Sequence, residues 1–199
     1  MELNGKMYSK LPHFILGFHG CSKDTYHKVL NEKKNLEISK NIYDWLGHGI
    51  YFWEHDYNRA LEWAKEKHED NCGVIGAIID LGYCLNLSDI RYAEFLKIGY
   101  ETLESRLGQR NIPKNRGKKG NDVLLRDLDC AVIQQIHKLT EDSKFKPFDS
   151  VRGLFIEGEQ IYPGSEFYDK THIQICVVNP NCIKGYFSPL NADENYAIP

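Results

Sequence analysis

Leu46-Gly47-His48-Gly49-Ile50-Tyr51-Phe52-Trp53-Glu54, about thirty residues after Gly17-Phe18-His19-Gly20-Cys21, is the stretch on which the reading of this chain turns. Glycines at alternate positions make a turn that enters an apolar strand, Gly49 to Trp53, without crowding a ligand. The earlier segment closes a short strand, Phe14-Ile15-Leu16 within His13 to Gly17, and leaves His19 beside a glycine. A histidine placed there can donate to a sugar hydroxyl. Gly20, without a side chain, lets its N–H and C=O meet a planar carboxamide. Tyr51 offers a flat face for an aromatic ring.

Between and after these segments the pattern alternates. Asp24 to Asn31 reads as a helix with Val29 and Leu30 inward. Asp56 is an N-cap candidate for a helix to about Lys67, with Ala60, Leu61, Trp63 and Ala64 at helical spacing. Val74 to Leu81 is a near-continuous apolar run of strand length, ended by Leu85-Asn86-Leu87. Residues 88 to about 150 then change character. Tyr92 to Leu107 is an amphipathic helix. Asn111 to Asn121, with Pro113, two glycines and a basic run, reads as a solvated loop. Val123 to Leu139 reads as a second helix with Val132, Ile133 and Ile136 inward. Strand signals resume at Val151 to Glu157, a turn is expected at Tyr162-Pro163-Gly164-Ser165, and His172 to Val178 and Ile183 to Phe187 read as further strands. The expectation is one α+β domain over residues 1–199, with a mainly helical insertion at about 88–150.

Composition narrows the class. A net charge of −3 provides no global field for nucleic acid or an acidic membrane. Six cysteines without a CxxC pair argue against both a disulfide framework and a structural zinc, and fit a reducing compartment. No stretch approaches the roughly 20 apolar residues of a membrane span, and the first residues lack an apolar signal core. A cytoplasmic protein with no membrane partner is expected.

Taken together, Phe18-His19-Gly20-Cys21 and Leu46 to Glu54 resemble the catalytic domains of the poly(ADP-ribose) polymerase-like ADP-ribosyltransferases. In that family a His-Gly pair ends the first strand, and a Gly-x-Gly-Ile-Tyr-Phe segment follows about thirty residues on. The likeness runs from Phe14 to about Leu87, and more weakly from Leu154 to Phe187. It implies a split, mostly antiparallel sheet with flanking helices, and NAD as a substrate that is cleaved, with no metal. By the resemblance His19 holds a ribose hydroxyl, Gly20 the carboxamide, and Tyr51 the nicotinamide ring, with Gly49 leaving room in the turn. Arg59 stands where the family often has a carboxamide-binding serine, and Glu62 and Trp63 where it often has a second stacking tyrosine.

The third family position, commonly glutamate, opens a late strand. Here that strand is Lys170-Thr171-His172-Ile173-Gln174-Ile175, which holds no acid. Alternation places His172 and Gln174 on one face and Ile173 and Ile175 on the other. Gln174 is the first choice, His172 the second, and Glu159, from the upstream group Glu157, Glu159 and Glu166, a third. The missing acid points to single transfer of ADP-ribose to a protein, nucleic acid or small molecule. NAD hydrolysis and a silent ADP-ribose- or protein-binding module of the same fold stay open as alternatives.

Overall fold

The computed structural model describes residues 14–119, 122–143 and 145–198. In chain order these form β1 (Ile15–Ser22), α1 (Lys23–Leu30), β2 (Ile50–Glu54), α2 (Tyr57–His68), β3 (Cys72–Ile79), β4 (Cys84–Asn86), α3 (Ala93–Leu107), β5 (Arg116–Lys119), β6 (Asp122–Leu125), α4 (Asp127–Asp142), β7 (Ser150–Phe155), β8 (His172–Val177) and β9 (Ile183–Phe187). Seven strands make one sheet in the order β4-β7-β8-β2-β1-β3-β9. All its pairings are antiparallel except β4 with β7. This is the expected α+β class, with a mostly antiparallel sheet; α3, the β5–β6 pair and α4 follow one another between β4 and β7.

Strand alternation sorts the core into two faces. Ile15, Cys21, Ile50, Phe52, Ile75, Ile79, Ile175 and Val177 fill one face beneath α1. The other face is covered twice. Near β1 and β3, α2 lays Ala60 over Trp53 and Val74. Near β7 and β4, the insertion lays Leu103, Ile133 and Ile136 over Leu46, Leu85, Val151 and Cys176. Phe52 is fully buried, which contributes roughly 1.5–3 kcal/mol.

The helix starts follow local chemistry. Ser22 accepts from the Thr25 N–H, and Asp56 accepts from the Arg59 N–H at 2.9 Å. Replacing Asp56 by Ala leaves that donor unpaired, so the urea midpoint should fall by the equivalent of about 1 kcal/mol at an unchanged slope.

Three elements depart from expectation. β1 does not end at Gly17 but runs to Ser22, because β3 pairs with it continuously from Ile15↔Ile79 to Ser22↔Cys72; His13 lies outside the described residues. The apolar run from Val74 ends at Ile79, and the positive φ of Gly82 turns the chain so that Cys84–Asn86 starts a separate strand beside β7. The basic segment expected as a loop is the hairpin β5–β6, and the helix expected from Val123 begins only at Asp127. The hairpin caps that helix. Arg116 donates to Asp127 at 2.9 and 3.0 Å, and the Asn115 side chain accepts from the Leu128 N–H. The turn at Tyr162–Ser165 forms as read, closed by the Ser165 N–H on the Tyr162 carbonyl. Among the described residues no helix is long and apolar enough to cross a membrane.

Candidate functional site

The ladder between β1 and β2 is short. The two strands are in register only at Gly17↔Glu54 and Phe18↔Trp53, although both continue toward Gly20 and Tyr51. The His55 N–H bonds the Leu16 carbonyl, so even-numbered residues of β1 turn their peptide groups toward β2. By that alternation the N–H and C=O of Gly20 face the opening, where Tyr51 would be the next ladder partner. The Tyr51 carbonyl is instead taken by Nδ1 of His19 at 2.8 Å.

That bond decides what His19 can do. A carbonyl only accepts, so Nδ1 carries the proton, and burial keeps the ring neutral by lowering its pKa. Nε2 is then a bare acceptor. His19 can take a hydrogen bond from a sugar hydroxyl, which reverses the donor role read from sequence.

Tyr51 is held differently. Its hydroxyl donates to the Gly47 carbonyl at 2.6 Å and accepts from the Leu46 N–H at 2.8 Å. Burial pushes its pKa far upward. The phenol is a fixed strut, and only its ring surface is left to meet a ligand. The pleat sends His19 to the Phe52 face and Tyr51 to the Cys176 face. The two rings therefore do not lie side by side; they meet through the Tyr51 carbonyl at the opening.

The glycines of both motifs serve packing. A Cβ on Gly20 would stand 2.3 Å from the Ala60 carbonyl oxygen of α2. One on Gly49 would stand 2.4 Å from Cys176 Sγ, and one on Gly47, at φ +79°, 2.7 Å from the Gln134 side chain of α4. Gly49 makes room for β8 rather than for a ligand.

Beyond Tyr51 the same face carries Trp53, and across from it Gln174 of β8. His172 lies two residues before Gln174 and is only 4% exposed. Trp45 stacks over it at 6.3 Å, with Phe155 and Trp53 alongside. Its Nδ1 bonds the Lys170 carbonyl at 2.7 Å, and its Nε2 is 3.1 Å from the Gln174 amide nitrogen. With both ring nitrogens engaged beneath Trp45, His172 has no free atom for a dinucleotide. Gln174, half-buried, has one.

Arg59 also differs from its reading. Its guanidinium is about one-tenth exposed and bonds Glu157 at 2.9 Å, with Glu62 at 3.2 Å. It is an ion-pair member braced against Trp53, not a free carboxamide ligand. Glu157 is the acid that the upstream loop brings inward. Glu159 is exposed, and its peptide group pairs with Asp169. Gly158 between them, at φ +88°, bends the chain away from the sheet. The sequence clue was that glycine, which ends the strand alternation on which Glu157 and Glu159 share parity. Trp63 packs on Trp53 at 5.7 Å, as a wall of the helix–sheet contact.

The histidines make the chain acid-sensitive. His19, His137 and His172 are all held below the ordinary value, chiefly by burial, His137 at about 4 with His48 adding repulsion. An unfolded ring takes a proton near pH 6.5 while the folded ring stays neutral, so stability is complete above that pH and drains as pH falls. Urea midpoints at pH 7.5, 6 and 5 should decline by up to about 1.4 kcal/mol per pH unit for each ring. His137→Phe should make that slope shallower.

No family model and no solved structure matches the chain. It is similar to an uncharacterized protein of Methanocaldococcus jannaschii, 29% identical over 194 residues, with 84% of this chain and 83% of the relative covered.

Proposed function

We propose that the chain is a mono-ADP-ribosyltransferase that cleaves the nicotinamide–ribose bond of NAD and passes ADP-ribose to an acceptor. The observation that carries this reading is the parting of β1 from β2 at His19–Gly20. It leaves a neutral imidazole acceptor and a glycine peptide group at one opening, with the Tyr51 ring held nearby by its hydroxyl. The order of motifs along the sequence supports the same reading.

The chemistry asks little beyond geometry. As the C1′–N bond breaks, nicotinamide leaves with the bonding pair and positive charge builds on the sugar, as in glycoside cleavage. The acceptor then attacks C1′ and gives up its proton. The Gly20 peptide group orients the leaving carboxamide, His19 Nε2 holds a ribose hydroxyl, and fixed dipoles stabilise the charge. Gln174 lies across the sheet from His19, on the Tyr51 face, where its amide can accept from a hydroxyl of the ligand but cannot act as a base. Glu157, 3.6 Å from His172 Nδ1, is engaged by Arg59, which favours single transfer over chain growth.

The same lack of a free carboxylate favours one alternative, hydrolysis, with water as the acceptor. Incubation with NAD labelled in its adenylate half, with and without cell lysate, tests both. Transfer yields free nicotinamide and labelled macromolecule or adduct; hydrolysis yields free ADP-ribose. Nicotinamide at background in both arms would leave a silent binding module.

A further inference from the structure

We propose that His172 is a positioning residue that locks the Gln174 side chain with its oxygen, not its nitrogen, toward the ligand. The inference rests on the NAD reading for its purpose and on hydrogen-bond logic for its content. The Lys170 carbonyl can only accept, so His172 Nδ1 is the protonated nitrogen. The Glu157 carboxylate, 3.6 Å from the same atom, is also acceptor-only and enforces the same choice. In the neutral ring Nε2 is then a lone pair, and the group 3.1 Å away must be the NH2 of Gln174. The Gln174 Oε1 is left to point outward.

The relay is one-directional: the Gln174 NH2 donates to His172 Nε2, and His172 Nδ1–H donates to the Lys170 carbonyl. It holds because the ring cannot turn. Trp45 lies over it, and Phe155 and Trp53 flank it. Arg59 and Asp56 are the other charged groups near the ring, with opposed effects on its protonation, and burial outweighs them by keeping it neutral.

The relay also explains the missing acid. A carboxylate at position 174 would face the bare lone pair of Nε2, acceptor against acceptor. A buried neutral imidazole instead calls for a partner that donates on one side and accepts on the other, which is what a primary amide does. Gln174 thus offers a ligand on the Tyr51 face an acceptor without a negative charge, and His172 makes that orientation the only one.

The test uses the 15N-labelled full chain and histidine-ring NMR at pH 7, with the His172 signals assigned by their loss in His172→Phe or from backbone connectivity. The expected result is a neutral ring protonated at Nδ1. A ring protonated at Nε2, or an imidazolium, overturns the relay. In Gln174→Glu the titration midpoint of His172 should rise by about one unit or more, because a carboxylate now faces Nε2. An unchanged midpoint overturns the contact. Neither measurement needs NAD.

Initial-rate nicotinamide release tests the purpose. Gln174→Met and His172→Phe should each lower kcat about tenfold with KM for NAD little changed, and the double variant should lose about tenfold as well, not a hundredfold. Multiplying losses overturn the positioning role. A wild-type chain that releases no nicotinamide but shows the Nδ1–H ring supports the relay and overturns the NAD reading.

Discussion

Gly20→Ala is expected to cost about 3 kcal/mol of stability and to abolish NAD cleavage. The added Cβ would stand 2.3 Å from the carbonyl oxygen of Ala60 and 3.1 Å from Cβ of Ala64, so the obstacle is the backbone and a methyl of α2. Neither can rotate aside. Overpacking of this kind costs typically 1–3 kcal/mol, and a rigid obstacle puts it at the upper end. The same displacement would push α2 off Trp53 and widen the opening that Gly20 borders. Gly185→Ala is the control. Its Cβ meets nothing within 4 Å, and the urea midpoint should stay within about 0.5 kcal/mol of wild type. Equal midpoints for the two variants would mean that α2 does not press on β1 as described.

His19→Asn should lower NAD cleavage about a hundredfold while leaving the protein folded. The asparagine amide can still donate to the Tyr51 carbonyl, so the strut between β1 and β2 survives. What disappears is the Nε2 acceptor. If that nitrogen holds a ribose hydroxyl more tightly as charge builds on the sugar, its loss falls on kcat rather than on KM. Nicotinamide release under saturating NAD measures the first and its concentration dependence the second. Full activity in a folded His19→Asn chain would remove His19 from the chemistry and leave it a purely structural clamp.

Much of this architecture was legible along the chain because its causes are local. Asp56 before a helical apolar pattern starts α2 because a short carboxylate can satisfy the first free N–H groups of a helix. The alternation of His172 and Gln174 with Ile173 and Ile175 survives in β8 because successive strand residues must face opposite ways. The misreadings share a different cause. Val123-Leu124-Leu125 reads as the start of a helix because a short apolar run has no period of its own; its pairing with β5 makes it a strand. Arg59 stands at a family carboxamide position, and nothing near it in sequence reveals Glu157, which takes it up across 98 residues. Glu159 lost its place to Glu157 through one bend at Gly158.

What the sequence determined by itself was the class of fold, the order of most of its strands and helices, and the two glycine-flanked motifs that border the candidate site. These follow from periodicity, capping and the steric freedom of glycine, which act over a few residues. Only the tertiary structure decided that the β1–β2 ladder stops short of His19, that His19 Nδ1 donates to the Tyr51 carbonyl and leaves Nε2 as the acceptor, that Tyr51 is a strut, and that the Gln174 amide nitrogen meets a buried histidine. Hydrogen-bond polarity depends on which acceptor lies opposite each nitrogen, and the chain places those partners only when it folds.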